Sequence, residues 1–553
     1  MGERNDLTIA WKQKQPKIPF EPYDNTYSKL AKINGIEDID QFLNPLSDVI
    51  CSPYLLKNID SLVTRIISAI KNHETITISG DPDYDGVTTL VLLYKYLKNF
   101  TDDVHYVCNE RSEGHSINNL IDQIPDHTKL FIAVDSSSND TESMRALVDK
   151  GIDCLIIDHH AITNDNPYAI IVNPQQEGCK YPNKNACGGL LVFKVCEVID
   201  DYMNTHYAHQ LSDLPGFSLM ADMMSTMELE NRYFAKLSLK GLRHAGLKAL
   251  FSAMNFDLSN LSATDFLYGV SPAVTAATRA DNIQLAIDFL MCDEDTPEIK
   301  VLIKDLIRLN ERRKTVQAEA LIRLKPLVNE SDKVVIVFDP TLGKGMNGLV
   351  AQELSRTYNR PAIVLGNGDN EDTYAGSFRG LEDFSMLDML GDCKNVIYTG
   401  GHDGAGGLQL LKKDIEVLRQ ELNEKLRDFV ADNSLYYDLE FDIDEVNENL
   451  INYLSEFYRI TGNKFKQGYF LIKGLFASDK KLMGKSNNTV KIDCDKLQLM
   501  KFKTDEEFYK NVPVFSEIEA IGTLNINVWK VYRPKFKVTK TLQLFIEEYR
   551  ETK

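Results

Sequence analysis

Apolar positions along this chain change their period several times, and each change marks an element. Thr75 to Ile78 is a short β-branched run that reads as a buried strand, and Val87 to Leu97 follows with helical spacing. From residue 74 to about 230 the two patterns alternate, as βαβ units do. Strands are expected near 75–79, 104–108, 129–135, 154–158 and 169–173, and helices near 87–99, 140–150 and 188–205. Residues 233–330 are helical in pattern. Within them Leu302, Leu306, Leu309, Val316, Ala320 and Leu324 predict one long amphipathic helix that bridges two domains and is ended by Pro326. A second α/β unit is expected over 331–432, with a helix over residues 349–358 between strands at 333–338 and 361–365. From about 433 to 545 short strands alternate with turns, the pattern of an OB-like β-barrel. The chain therefore divides into a lead-in (1–70), a parallel-sheet α/β domain (71–290), a connecting helix (291–330), a smaller α/β domain (331–432) and an OB-like domain (433–553).

The ends of the first-domain strands carry the chemistry. Asp81, Asp83 and Asp85 fall in the turn between the first strand and its helix, where their mutual repulsion calls for a cation. The run 129–134 leads into Asp135, and 154–157 leads into Asp158-His159-His160. In a parallel sheet the carboxyl ends of strands line one edge, which is where open α/β folds bind ligands. Oxygen and imidazole donors without thiolate suit Mn²⁺ or Mg²⁺, with zinc also compatible. Near the C-terminus Trp529, Tyr532 and Phe536 interleave with Lys530, Arg533, Lys535, Lys537 and Lys540, a pairing of stacking faces and cations suited to single-stranded nucleic acid. The glycines of 343–348 lack the Walker spacing and its final Lys-Ser/Thr, which rules out a nucleotide loop.

Composition narrows the classes further. The length of 553 residues provides for several real cores, and no apolar run approaches the ~20 residues that span a bilayer. Nine cysteines without C-x-x-C pairs indicate reduced thiols, and the polar first 17 residues carry no signal-peptide core, so a cytoplasmic protein is expected. The net charge of −19 argues against indiscriminate polyanion binding and leaves room for a locally basic groove.

The aspartate-rich turn, Asp135 and Asp158-His159-His160 resemble the motifs of the DHH phosphoesterase superfamily and, within it, the RecJ family of single-strand-specific 5′→3′ DNA exonucleases. Further stretches extend the resemblance: residues 109–115, Gly188-Gly189, Met220-Ala221-Asp222 with Glu230-Asn231-Arg232, residues 272–279, residues 374–379, and the glycine-rich Gly400 to Gly407. The departures are Ser79 where the family has histidine, Thr275 for asparagine, Thr278 for glycine and Gly406 for alanine. The resemblance implies a DHH catalytic domain, a DHH-associated substrate domain and a nucleic-acid-binding OB-fold, using two Mn²⁺ or Mg²⁺ ions. By the same resemblance Asp83 and Asp85 bind one ion each, Asp135 bridges, His159 and Asp222 complete the second site, and Asp81 is a further candidate ligand. His160 contacts the scissile phosphate, Asp158 orients the histidines, and Arg279, Arg379, Gly401 and His402 face substrate. The implied activity is digestion of single-stranded DNA to mononucleotides in repair or recombination by a monomer, with a single-strand-binding protein or helicase as candidate partner. Two alternatives stand beside it: an oligonucleotide or cyclic-dinucleotide phosphodiesterase of the same superfamily, and a weakly catalytic single-strand-binding scaffold.

Overall fold

The structure is a computed structural model that describes residues 9–368, 370–381, 384–484, 487–504, 506–531 and 537–552. Its first sheet has five strands in the order Val104–Val107, Thr75–Gly80, Thr128–Val134, Asp153–Ile157 and Ala169–Val172, every neighbouring pair parallel. The strand Thr75–Gly80 is buried at all six residues, as a central parallel strand covered on both faces must be. Ile59–Lys71, Tyr84–Leu97 and Gly188–Met203 pack one face through Ile66, Leu90 and Leu191. Thr141–Asp149 helps cover the other through Met144 and Leu147. The helix after the first strand begins earlier than its apolar spacing predicts. Asp83 caps it by accepting from the Gly86 amide at 3.0 Å, which draws Tyr84 and Asp85 into the first turn.

The predicted bridging helix is Pro297–Leu324. Its 28 residues span about 42 Å, at a rise of about 1.5 Å per residue. Ile299, Ile303 and Leu306 belong to the first core, whereas Ala320 and Leu324 belong to the second domain, so the helix is anchored at both ends. The second sheet runs Val396–His402, Ala405–Leu411, Thr373–Arg379, Ala362–Asn367, Val335–Phe338, with only its last pair parallel.

The C-terminal domain is built on a seven-stranded sheet that contains a long hairpin, Ser516–Val531 with Lys537–Glu551. Tyr532, Arg533, Lys535 and Phe536 of the aromatic and basic run lie outside the described residues; among the others, Trp529 is exposed. Hydrophobic periodicity did not reveal where the N-terminal helices go. Leu30, Ala31, Ile33 and Phe42 share one core with Leu439, Ile451, Phe470, Leu499 and Leu544. Trp11–Gln13 adds a parallel pairing with Leu435–Tyr437, and Arg550 stacks on the Trp11 ring at 4.2 Å.

Candidate metal centre

The loops at the carboxyl ends of three first-domain strands converge with the end of a helix, Leu214–Ala221, that carries Asp222 as its C-cap. The aspartate turn closes only because glycines flank it: a Cβ at Gly86 would lie 2.3 Å from the Asp81 carbonyl oxygen, and one at Gly80 would lie 2.7 Å from the Gly86 carbonyl oxygen. Asp135 follows its strand in the left-handed region, φ 60°, with its amide donating to the Ile157 carbonyl at 2.8 Å. That backbone conformation is costly outside glycine, and it turns the carboxylate toward the neighbouring strand ends.

Four buried donor atoms meet there without any hydrogen-bond partner: Asp85 Oδ2, Asp135 Oδ1, His159 Nε2 and Asp222 Oδ2. His159 Nε2 stands 3.3 Å from Asp135 Oδ1 and 3.4 Å from Asp222 Oδ2. At this centre two groups have their ligand atoms within 4.8 Å of one another, Asp135 with His159 and His160, and Asp85 with His159 and Asp222. Buried acceptors are normally satisfied, so four orphans facing one point fit divalent cations. The remaining Asp85 oxygen accepts from the Thr89 hydroxyl at 3.0 Å, the Gly189 amide at 3.2 Å and the Ser218 hydroxyl.

Electrostatics agree with this fit. Burial, then the neighbouring Asp83 charge, pushes Asp85 up to about 7. Burial and the charges of Asp85 and Asp83 raise Asp135 and Asp222 well above the carboxylate range. Burial and the charge of His160 push His159 down to about 3, leaving a neutral imidazole able to ligate. Asp158 behaves oppositely. Although buried, it is held below its ordinary value by His160, whose Nδ1 donates at 2.8 Å, and by the Ser138 amide at 3.1 Å; the His159 amide also donates to it, at 2.7 Å. In return Asp158 overrides the burial of His160 and pushes it up to about 10, so the ring next to the centre carries a proton and a charge.

The structure thus gathers Asp85, Asp135, His159, His160 and Asp222, with Asp158 behind the histidines. Asp83 and Asp81 are in neither ligand group. Asp83 is half-buried beside them and acts on Asp85, Asp135 and Asp222 through its charge, while Asp81 takes the Nδ1 of His115 at 2.5 Å. Ser79 is buried in its strand. Sequence reasoning missed Ser218, which has no motif to mark it, and the reason for Gly188 and Gly189. A Cβ at Gly188 would lie 2.3 Å from Asp135 Oδ1, and one at Gly189 2.1 Å from Ser218 Oγ. Gly188→Ala is therefore expected to displace the Asp135 carboxylate and reduce metal-supported activity more than about 10-fold. Circular dichroism should show an unchanged fold.

Across from these donors, the His402 ring of the second domain stacks on His160 with centroids 5.8 Å apart. Gly401 beside it holds φ 126°, and a Cβ there would meet the Ala405 carbonyl oxygen at 2.6 Å. Arg279 donates to the Gly345 carbonyl at 2.7 Å, Arg379 to its neighbour Phe378 at 2.7 Å, and Arg111 to Pro82 at 3.1 Å. Burial and then repulsion from Arg111, Arg379 and Arg313 push Arg279 down to about 9. Arg379 is lowered by burial and by Arg111. Arg313, on the bridging helix, carried no sequence signal beyond its charge. Cations crowded together, with no ion pair among the described residues, mark a place for polyanionic phosphate.

Known proteins resemble this chain in two of its domains and over most of its length. The family model "DHH family, N-terminal domain" matches residues 75–220, and "RecJ OB domain" matches 437–546. YorK, a prophage SPbeta protein of Bacillus subtilis strain 168 whose name proposes a single-strand DNA-specific exonuclease, is 28% identical over 95% of this chain and 96% of its own length. The single-stranded-DNA-specific exonuclease RecJ of the same bacterium is 27% identical over 86% of this chain and 62% of its own. The crystal structure of RecJ from Thermus thermophilus in complex with Mn²⁺ superposes with a TM-score of 0.76 at 20% identity, over 95% of this chain and 76% of that one, which establishes a common fold.

Proposed function

We propose that this chain, whose segments match a DHH-family model and a RecJ OB model, is a RecJ-like enzyme that hydrolyses single-stranded DNA from the 5′ end to mononucleotides using two Mn²⁺ or Mg²⁺ ions. The observation that carries this reading is the set of four orphaned donor atoms, His159 Nε2 among them, together with a cluster of arginines that make no ion pair among the described residues. When bound, the ions supply a nucleophilic water at neutral pH and neutralise charge on the phosphate. Asp83, Asp85, Asp135, His159 and Asp222 hold them. His160, kept protonated by Asp158, donates to a non-bridging phosphate oxygen, and His402 closes the site from the second domain. Arg111, Arg279 and Arg379 hold strand phosphates, and the C-terminal domain, with the exposed Trp529 on its hairpin, guides the strand inward.

We expect the enzyme to act in DNA repair or recombination as a monomer in the cytoplasm, with a single-strand-binding protein or helicase presenting its substrate. Among the described residues no helix is long and apolar enough to cross a membrane. Digestion of 5′- and 3′-labelled oligonucleotides with Mn²⁺ tests the activity: a 5′ label should leave at once as a mononucleotide, while a 3′ label should shorten progressively. Cleavage confined to dinucleotides would instead make the protein a short-oligonucleotide phosphodiesterase. Arg379→Ala and Arg279→Ala should each raise KM for an oligonucleotide about 10- to 100-fold with a smaller change in kcat, since a hydrogen bond to a charged group contributes about 1.5–3 kcal/mol. Steady-state kinetics at saturating Mn²⁺ would measure this.

A further inference from the structure

Asp222 is the one member of the donor set that does not follow a strand, and the turn after it runs into contacts with the C-terminal domain. After Asp222 the chain turns sharply: Met223 is in the left-handed region at φ 54°, and the Met224 amide returns to the Leu219 carbonyl at 3.0 Å. The next residues contact the C-terminal domain. Ser225 forms a parallel bridge with Asn463, and Gly462 sits so close that a Cβ on it would lie 2.6 Å from Thr226 Cγ2 and 3.2 Å from the Met224 carbonyl oxygen. Arg232 binds the two sides together. Its guanidinium is buried and donates to the Ile460 carbonyl at 3.0 Å, the Thr226 carbonyl at 3.4 Å and the Phe42 carbonyl at 2.6 Å. It lies over the Phe42 ring at 3.6 Å and the Phe465 ring at 5.1 Å. Asn231 fixes the same turn, donating to the Ser225 carbonyl at 3.0 Å and the Asn185 carbonyl at 2.7 Å.

We propose that Arg232 and the 460–465 segment of the C-terminal domain are positioning elements of the metal centre, setting where the Asp222 carboxylate stands. Arg232 has no ion pair among the described residues, and a buried cation in that state is expensive to keep. Here its donors go to three carbonyls from three separate parts of the chain, a use that fits fixing a geometry better than balancing a charge. The C-terminal domain then has two duties, holding a strand and completing a metal site about 240 residues earlier in sequence. Side chains that orient metal ligands commonly change metal affinity 10- to 100-fold when altered.

This inference rests on the reading that Asp222 holds an ion, and the test separates the two. Mn²⁺ binding to the full-length protein is titrated by electron paramagnetic resonance without DNA, for wild type, Asp222→Asn, Arg232→Gln, Arg232→Lys and Gly462→Ala. Asp222→Asn should lose or greatly weaken one ion. Arg232→Gln and Gly462→Ala should weaken that same ion about 10-fold while kcat at saturating Mn²⁺ stays within about twofold, and Arg232→Lys should restore part of the affinity. If Arg232→Gln does not fold, Gly462→Ala decides, because it removes no buried charge and pushes on the turn from the other side. Full Mn²⁺ affinity in folded Gly462→Ala and Arg232→Lys, beside a weakened Asp222→Asn, would overturn the positioning role. An unaffected Asp222→Asn would overturn the assignment of Asp222 itself.

Discussion

Asp135→Asn is expected to abolish hydrolysis of single-stranded DNA, by on the order of 10³-fold or more in kcat, while leaving strand binding nearly intact. The substitution is isosteric, so the left-handed backbone at φ 60° and the amide bond to Ile157 can persist. It replaces a carboxylate within 3.3 Å of His159 Nε2 with an amide, which can no longer neutralise a divalent ion. The arginines and the C-terminal domain are untouched, so fluorescence anisotropy with a labelled oligonucleotide should give a Kd close to wild type. The metal-free variant should also melt at or above the wild-type temperature, because one of several mutually repelling buried carboxylates is gone. A lower melting temperature together with lost binding would mean that Asp135 supports the fold rather than the chemistry.

The second large effect is an inverted pH dependence of stability without metal. Asp85 titrates at about 7 in the folded protein and near 4 when unfolded, and Asp135 and Asp222 are raised as well. Between about pH 4 and 7 these three carboxyls hold more protons in the folded than in the unfolded state. They outweigh the single proton given up by His159, which is pushed down to about 3, so the centre's contribution to apo stability falls as pH rises through that window. At one pKa unit per ~1.4 kcal/mol, Asp85 alone contributes a few kcal/mol. Divalent ions replace those protons. Mn²⁺ should accordingly raise the melting temperature far more at pH 8 than at pH 5.5, and a chelator should reverse the gain. Differential scanning calorimetry at the two pH values measures this, and an equal shift at both would contradict a carboxylate-lined centre.

Much of this architecture was legible because strand ends in a parallel sheet are a geometric rule. Once Asp135 and Asp158-His159-His160 were placed after apolar runs, their convergence on the aspartate turn followed from topology. The bridging helix was equally plain, since Leu306 and Leu324 keep one face over many turns. What stayed hidden depends on contacts between parts distant in sequence. Periodicity shows that Leu30 and Phe42 need covering and cannot say that the C-terminal domain supplies the cover, as Phe457 and Phe465 do for Phe42. Arg232 stands in a recognisable motif, but its partners at Phe42 and Ile460 lie 190 and 228 residues away. Ser218 sits in an apolar helix where nothing distinguishes a hydroxyl aimed at Asp85 from one that merely fits.

The shared core of the first helices and the last strands has a consequence for synthesis. Leu30 and Phe42 leave the ribosome long before the residues that share their core, among them Phe457, Phe465 and Leu544. Joining ends so distant costs little at equilibrium, because loop-closure entropy grows only with the logarithm of length. In time it costs more. Until the C-terminal domain has been made those helices wait with an apolar face uncovered and open to aggregation, and a chain interrupted before Leu439 would lack most of the core that buries them.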